Sequence, residues 1–216
     1  MSDSESKALL ETSTGQSPTA GGRQPNPVYE LFILGELMVQ PLYGYVLHEI
    51  VNKILGPFHR LGWGTIYPLI RRLEQAGFIT SQAERRRDGV LRTERGPSRK
   101  VYSLTETGRV RFFVLMLDPG DYNPDYPDLF AMKFTKFGYL TPAQRLTVLE
   151  HYRTFLLTLC DHYRTVGSQT QHHPEVTDIE RPYIILLVED RVGTLEKELS
   201  WLASQIADTT NLLHPS

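Results

Sequence analysis

Seven cations fall within the sixteen residues Arg85–Lys100: Arg85, Arg86, Arg87, Arg92, Arg95, Arg99 and Lys100. A guanidinium is a planar fork of donors that matches the oxygens of a phosphate, and it also suits the negative potential of a narrow minor groove. Asp88-Gly89 and Gly96-Pro97-Ser98 are turn signals, so these cations sit on a loop. An ordinary solvated loop can carry the same charge. A second set lies upstream: Trp63, Thr65, Tyr67, Pro68, Arg71 and Arg72, with Tyr43 earlier still. It combines rings, a hydroxyl and cations, the groups that meet base edges and phosphates in a DNA groove.

The elements that must position these two sets are legible. Ile66, Leu69, Ile70 and Leu73 follow at helical spacing and make one apolar face; Trp63, Tyr67, Arg71, Arg72 and Gln75 fall off it. Thr65 is the N-cap candidate, which places Pro68 in an early turn where its missing N–H has no partner. Gly77 stops the helix, and Phe78-Ile79-Thr80 starts an extended run. The order is then helix, strand, basic loop, returning strand. Val28–Val39 reads as a buried first helix in which Gly35 permits close packing, and 40–44 reads as a turn. Tyr45–Leu55 reads as a second helix with Val46, Leu47, Ile50, Val51 and Ile54 inward. Thr105 caps a fourth helix, apolar at Val110, Phe113, Val114 and Leu117. Three helices and a basic hairpin outline a winged helix-turn-helix.

The net charge of −2 hides an asymmetry. Residues 28–111 carry 13 basic and 8 acidic side chains, a balance of +5, whereas residues 112–216 carry 8 and 14, a balance of −6. A basic module beside an acidic one fits a chain of which only one half meets a polyanion. Residues 1–27, rich in Ser, Thr, Gly, Gln and Pro, are expected to be a disordered tail. There is no long apolar run for a membrane helix and no signal segment, and the lone Cys160 excludes an internal disulfide, so a cytoplasmic location is expected. His151 and His162 share a helix face and His172-His173 follow, but no set with metal-ligand spacing forms. Cys160 and His162 point apart on a helix, and neither a phosphate loop nor a catalytic carboxylate pair is present. The reading is no enzyme, no metal and no cofactor.

The C-terminal half reads as helical. Residues 118–128 are expected to be a linker and 129–210 a helical domain, after a DNA-binding domain over 28–117. Leu129–Phe137 reads as a short aromatic helix, Pro142–Val166 as a long one, and about 178–209 as the last. Ile185, Val188, Val192, Leu195, Leu199, Leu202 and Ile206 alternate by three and four along that last helix. The seam serves either a hairpin within the chain or, as a dimerisation face, a second copy. Phe130, Phe134, Phe137 and Tyr139 cluster near the junction with Lys133 and Lys136 beside them; aromatic walls and a cation suit a small aromatic acid, and Phe130, Lys133, Phe134 and Phe137 are the effector candidates.

Taken jointly, Leu34-Gly35-Glu36-Leu37, Pro41-Leu42-Tyr43-Gly44-Tyr45, Gly64–Glu74, Gly77-Phe78-Ile79 and Gly96–Gly108 resemble the PadR family of bacterial transcriptional regulators over about residues 28–117. Phe134–Gly138 and the helices around it resemble the longer subfamily with a helical C-terminal dimerisation domain. The resemblance implies a mainly α fold with a small β-hairpin, and a homodimeric repressor on a palindromic double-stranded operator, released by a phenolic acid or another small aromatic molecule. It places Tyr67 on the recognition helix and Gly96–Lys100 in the wing. The chain departs from the common pattern in having Tyr43 where a histidine is frequent, and in a longer, more arginine-rich wing. A winged helix that binds proteins instead of DNA is the alternative.

Overall fold

The computed structural model describes residues 27–54, 62–83 and 100–213. The N-terminal tail, the 55–61 connection and the wing tip 84–99 lie outside them. In chain order the elements are α1 (Pro27–Leu37), β1 (Leu42–Tyr43), α2 (Gly44–Ile54), α3 (Trp63–Gln75), β2 (Ile79–Ala83), β3 (Lys100–Leu104), α4 (Glu106–Leu117), α5 (Tyr126–Thr135), a 3-10 turn (Phe137–Tyr139), α6 (Pro142–His172) and α7 (Arg181–Asn211). The architecture is mainly α with a small antiparallel sheet, a winged helix-turn-helix joined to a helical C-terminal half.

The sheet has three strands in the order β1-β3-β2. Residues 40–44, expected as a turn, contain a strand: Leu42 pairs with Tyr102 and Tyr43 with Val101. Two residues are too short for an alternating pattern to show. β2 and β3 pair from Ile79↔Leu104 to Ala83↔Lys100 and form the root of the wing. Leu31, Leu34, Leu47, Val51, Ile66, Leu69, Ile70, Leu73, Ile79 and Tyr102 make the core on which α3 and the sheet rest.

α4 corrects one expectation. Val110 and Val114 are exposed, and Phe112, Leu115 and Met116 are the buried side chains. From Phe112 to Leu117 every residue is apolar, so two registers fit equally well; packing against α1 and α6 selects between them. Thr105 is the N-cap as expected, its hydroxyl accepting from the Gly108 N–H at 3.0 Å. It also donates to the Gly77 carbonyl at 2.6 Å.

The last three residues of the segment expected as a linker are helical, and residues 121–125 before them are exposed. α5 starts at Tyr126, which is buried. α6 runs through Gly167 to His172, beyond the expected end at Val166 and into the expected connection. A Cβ on Gly167 would lie 3.1 Å from Val188 Cγ1, so the glycine lets α7 approach. α6 and α7 form an antiparallel hairpin, closed by Arg181, whose guanidinium donates to the Gln171 carbonyl at 3.0 Å and the Val176 carbonyl at 2.6 Å.

Candidate nucleic-acid interface

α3 begins at Trp63 after Gly62, without a side-chain cap. Thr65 is therefore a first-turn residue and not the N-cap, and Pro68 sits in the second turn, where its missing N–H does leave the Gly64 carbonyl without a helical donor. The helix ends as expected. Gly77 takes φ +74°, with its N–H on the Glu74 carbonyl at 3.0 Å and the Phe78 N–H on the Leu73 carbonyl at 2.9 Å, a Schellman cap.

Burying Ile66, Leu69, Ile70 and Leu73 turns Trp63, Thr65, Tyr67, Pro68, Arg71 and Arg72 outward. Trp63, Tyr67 and Arg71, four residues apart, form one stripe. Trp63 is 42% exposed and Tyr67 45%, and their rings stack with centroids 5.0 Å apart. A third ring joins them from α2: His48 stacks on Trp63 at 3.9 Å and 10°. Asn52 holds His48 in turn, its amide 3.2 Å from Nε2 and 3.0 Å from the His48 carbonyl. His48 and Asn52 carry no sequence signal, because nothing local links residue 48 to residue 63. Tyr43, half-buried on β1, stacks on exposed Tyr45 at 5.5 Å.

The wing root is tied to the reading helix. The Ser81 hydroxyl of β2 donates to the Glu74 carboxylate of α3. Tyr102 of β3 is buried, and burial, then the nearby Glu74 and Tyr67, pushes its phenol above the usual tyrosine range. Lys100 is exposed at the start of β3. Arg85, Arg86, Arg87, Arg92, Arg95 and Arg99 lie outside the described residues. Strand β2 packs against α3.

The other two candidate sets have different surroundings. Val188, Leu195 and Leu202 of the α7 seam are buried, and Ile185, Val192, Leu199 and Ile206 half-buried, in the hairpin with α6 of the same chain. The apolar side chains that α7 leaves exposed include Tyr183, Leu186 and Leu187. Phe130 is buried and stacks on Tyr152 at 3.7 Å; Phe134 meets Phe137 at 4.9 Å and Trp201 edge-on at 5.3 Å. Lys133 does not face open space: it is buried, and its ammonium donates to the Asp118 carbonyl. Lys136 lies across Gly35 to reach Glu36 at 2.7 Å, and a Cβ on Gly35 would stand 3.1 Å from Lys136 Cε. The expected close packing at Gly35 is thus a contact between α1 and the C-terminal half. Among the described residues no cluster of metal-ligating side chains forms, and no helix is long and apolar enough to cross a membrane.

Burial lowers the Lys133 ammonium to about 8. Below that pH both folded and unfolded chains carry the proton, and folding bears the full desolvation cost. Between about 8 and the ordinary value of 10.5 the unfolded chain holds more protons, so stability rises with pH. Lys133→Met is expected to raise stability at about pH 7, on the order of 2 kcal/mol, and to abolish the rise toward about pH 9.5. Urea midpoints at both pH values check this. Tyr126, raised to about 12 by burial, stays protonated over that window.

Comparison with known proteins adds the following. Residues 33–113 match the family described as the transcriptional regulator PadR-like family. Among solved structures, a putative transcriptional regulator from Thermoplasma acidophilum shares 27% identity over 39% of this chain and 71% of its own, with a TM-score of 0.33. Bacillus subtilis PadR in complex with operator DNA shares 20% over 84% and 99%, TM-score 0.37. The same protein in complex with p-coumaric acid shares 20% over 85% and 99%, TM-score 0.34. No curated protein matches the sequence. The similarity to the PadR-like family of transcriptional regulators therefore covers the winged-helix segment of this chain, residues 33–113.

Proposed function

We propose that the protein is a sequence-specific double-stranded-DNA-binding repressor that acts as a homodimer and is released by a small aromatic effector. The observation that carries the DNA reading is the two-faced α3. Four apolar side chains anchor it to the core, and the exposed stripe Trp63–Tyr67–Arg71 stands beside a wing whose tip sequence holds six arginines. In this reading α3 enters the major groove, and Arg71 and Arg72 meet base edges or phosphates. Tyr43 and Thr65 flank the groove, and Arg85, Arg86, Arg87, Arg92, Arg95, Arg99 and Lys100 hold phosphates or the minor groove.

For the homodimer, the exposed apolar side chains Tyr183, Leu186 and Leu187 support a contact on the outer side of α7. A two-fold partner would present two α3 helices to one palindrome. For the effector, a cavity of about 60 Å³ lies between α1, α2 and α5, lined by Val28, Tyr29, Phe32, Val51 and Met132. Asp128 also lines it, which favours a neutral aromatic molecule over an acid. It is smaller than ordinary ligand pockets of roughly 300–1,000 Å³, so a ring entering it would shift α5 against α1. Such a shift would pass directly to the DNA-binding half.

The test is binding to duplexes selected by the full-length protein from a random-sequence pool. Tyr67→Ala and Arg71→Ala are each expected to weaken the selected site about five- to a hundredfold. Neutralising wing arginines should lower the slope of log affinity against log salt by about 0.9 for each phosphate that is no longer neutralised. If no salt-sensitive duplex binding is seen, the chain acts as a protein-interaction module. Unchanged affinity in both sets of variants removes the assignment of the reading surface.

A further inference from the structure

We propose that His48 is a positioning residue for DNA recognition: it clamps Trp63 as the first rung of an aromatic column, and Trp63 so held reads an apolar base edge, the thymine 5-methyl group. This rests on the DNA-binding reading above. Trp63 stands at the first residue of α3, after a glycine and before another, where the backbone offers little restraint. An exposed indole there samples several rotamers unless something holds it. His48 supplies the restraint from a different helix. The near-parallel stack at 3.9 Å covers one face of the indole, and Tyr67 lies against it at 5.0 Å.

The imidazole is itself oriented. The Asn52 amide nitrogen lies 3.2 Å from Nε2 and fixes the angle of the ring. Asn52 and His48 are one turn apart on α2, so the clamp is built on a rigid element. Trp63 as a whole residue nonetheless stays 42% exposed, on the same stripe as Tyr67 and Arg71. An apolar edge beside a cation is a surface that distinguishes the methyl-bearing major-groove edge of thymine from the other bases. The indole carries no charge, so it adds to sequence discrimination and not to the salt-dependent part of binding.

The experiment uses the full-length protein and its selected duplex. His48→Ala is expected to reduce affinity for the selected site about three- to tenfold, the coupling of one stacked aromatic pair, with affinity for unrelated DNA and the salt slope unchanged. His48→Phe, which keeps a ring but not the hydrogen bonds, should recover most of the loss. Replacing each thymine by deoxyuridine in turn should reveal one position per half-site at which the wild type loses affinity and Trp63→Ala does not. A readout without DNA is acrylamide quenching in a Trp201→Phe background, where Trp63 is the one remaining tryptophan. His48→Ala should increase quenching and His48→Phe should not. The proposal is overturned if His48→Ala keeps the wild-type ratio of specific to unrelated affinity, or if no thymine methyl is sensed through Trp63. Absence of any selected duplex for the wild type overturns the DNA-binding reading itself, and this proposal with it.

Discussion

Arg111→Ala is expected to destabilise the folded protein by about 3–5 kcal/mol, the cost of leaving a buried charge without its partner. Glu30, in the first turn of α1, has a side chain only 8% exposed. Both of its oxygens accept from the Arg111 guanidinium of α4, at 2.7 and 3.2 Å, in the bidentate geometry that makes such pairs strong. The hydrogen bond to Glu30 holds the guanidinium above its ordinary range. The same group lies 6.0 Å from the centre of the Phe78 ring, so its removal also uncovers the turn after α3. The double variant Glu30→Met/Arg111→Met should recover most of the loss, because replacing both members of a buried pair by apolar side chains is often neutral. Urea unfolding of the three proteins checks both statements. A single variant within about 1 kcal/mol of wild type would show that Glu30 reaches solvent, because an enclosed carboxylate stripped of its partner costs more than that.

Gly108→Ala is expected to cost about 3 kcal/mol and to lower the melting temperature by about 6–12 °C. The Cβ it adds would overlap the Phe78 carbonyl oxygen and lie 2.7 Å from Leu104 Cδ1. The first obstacle is backbone, and no rotamer change relieves it. Phe78 is pinned at that spot by its own N–H bond to Leu73 and by the Thr105 N–H on its carbonyl at 3.1 Å. Relief therefore requires α4 to move away from the turn that ends α3, which also strains the Thr105 cap. Because that turn sets where α3 stops and β2 begins, duplex affinity should fall with stability. Thermal unfolding monitored by circular dichroism tests the first effect and a salt-matched binding titration the second. Gly64→Ala is the control for stability: among the described residues nothing lies within 4 Å of a Cβ there.

The reading helix is legible because its signal is local. Ile66, Leu69, Ile70 and Leu73 repeat at the helical period, Gly77 must take positive φ, and the side chains off the apolar face are outward by geometry. The Thr105 cap is legible for the same reason. The start of α3 lies two residues before the expected cap because Gly62-Trp63-Gly64 carries no cap chemistry, and the helix begins there all the same. The buried face of α4 differs from expectation because six consecutive apolar residues have no single period. The α7 seam is a seam as expected, but periodicity states only that a face is apolar and not which surface covers it. In the folded chain α6 covers it. The aromatic residues Phe130, Phe134 and Phe137 do meet, yet they meet Tyr152 and Trp201 as well, partners from α6 and α7 that spacing could not supply.

The sequence by itself determined the order of the main helices and the two wing strands, the basic and acidic halves, and which side of α3 faces outward. These depend on interactions among residues within a few turns of one another. The tertiary structure alone decided the rest: His48 on Trp63, Arg111 on Glu30, Lys136 on Glu36, and the buried ammonium of Lys133 on Asp118. Each joins residues between 15 and 100 positions apart. Such contacts arise when separate faces are brought together to remove apolar surface from water. That process is non-directional, so local pattern specifies which faces are buried and the packing of whole elements specifies what each side chain meets.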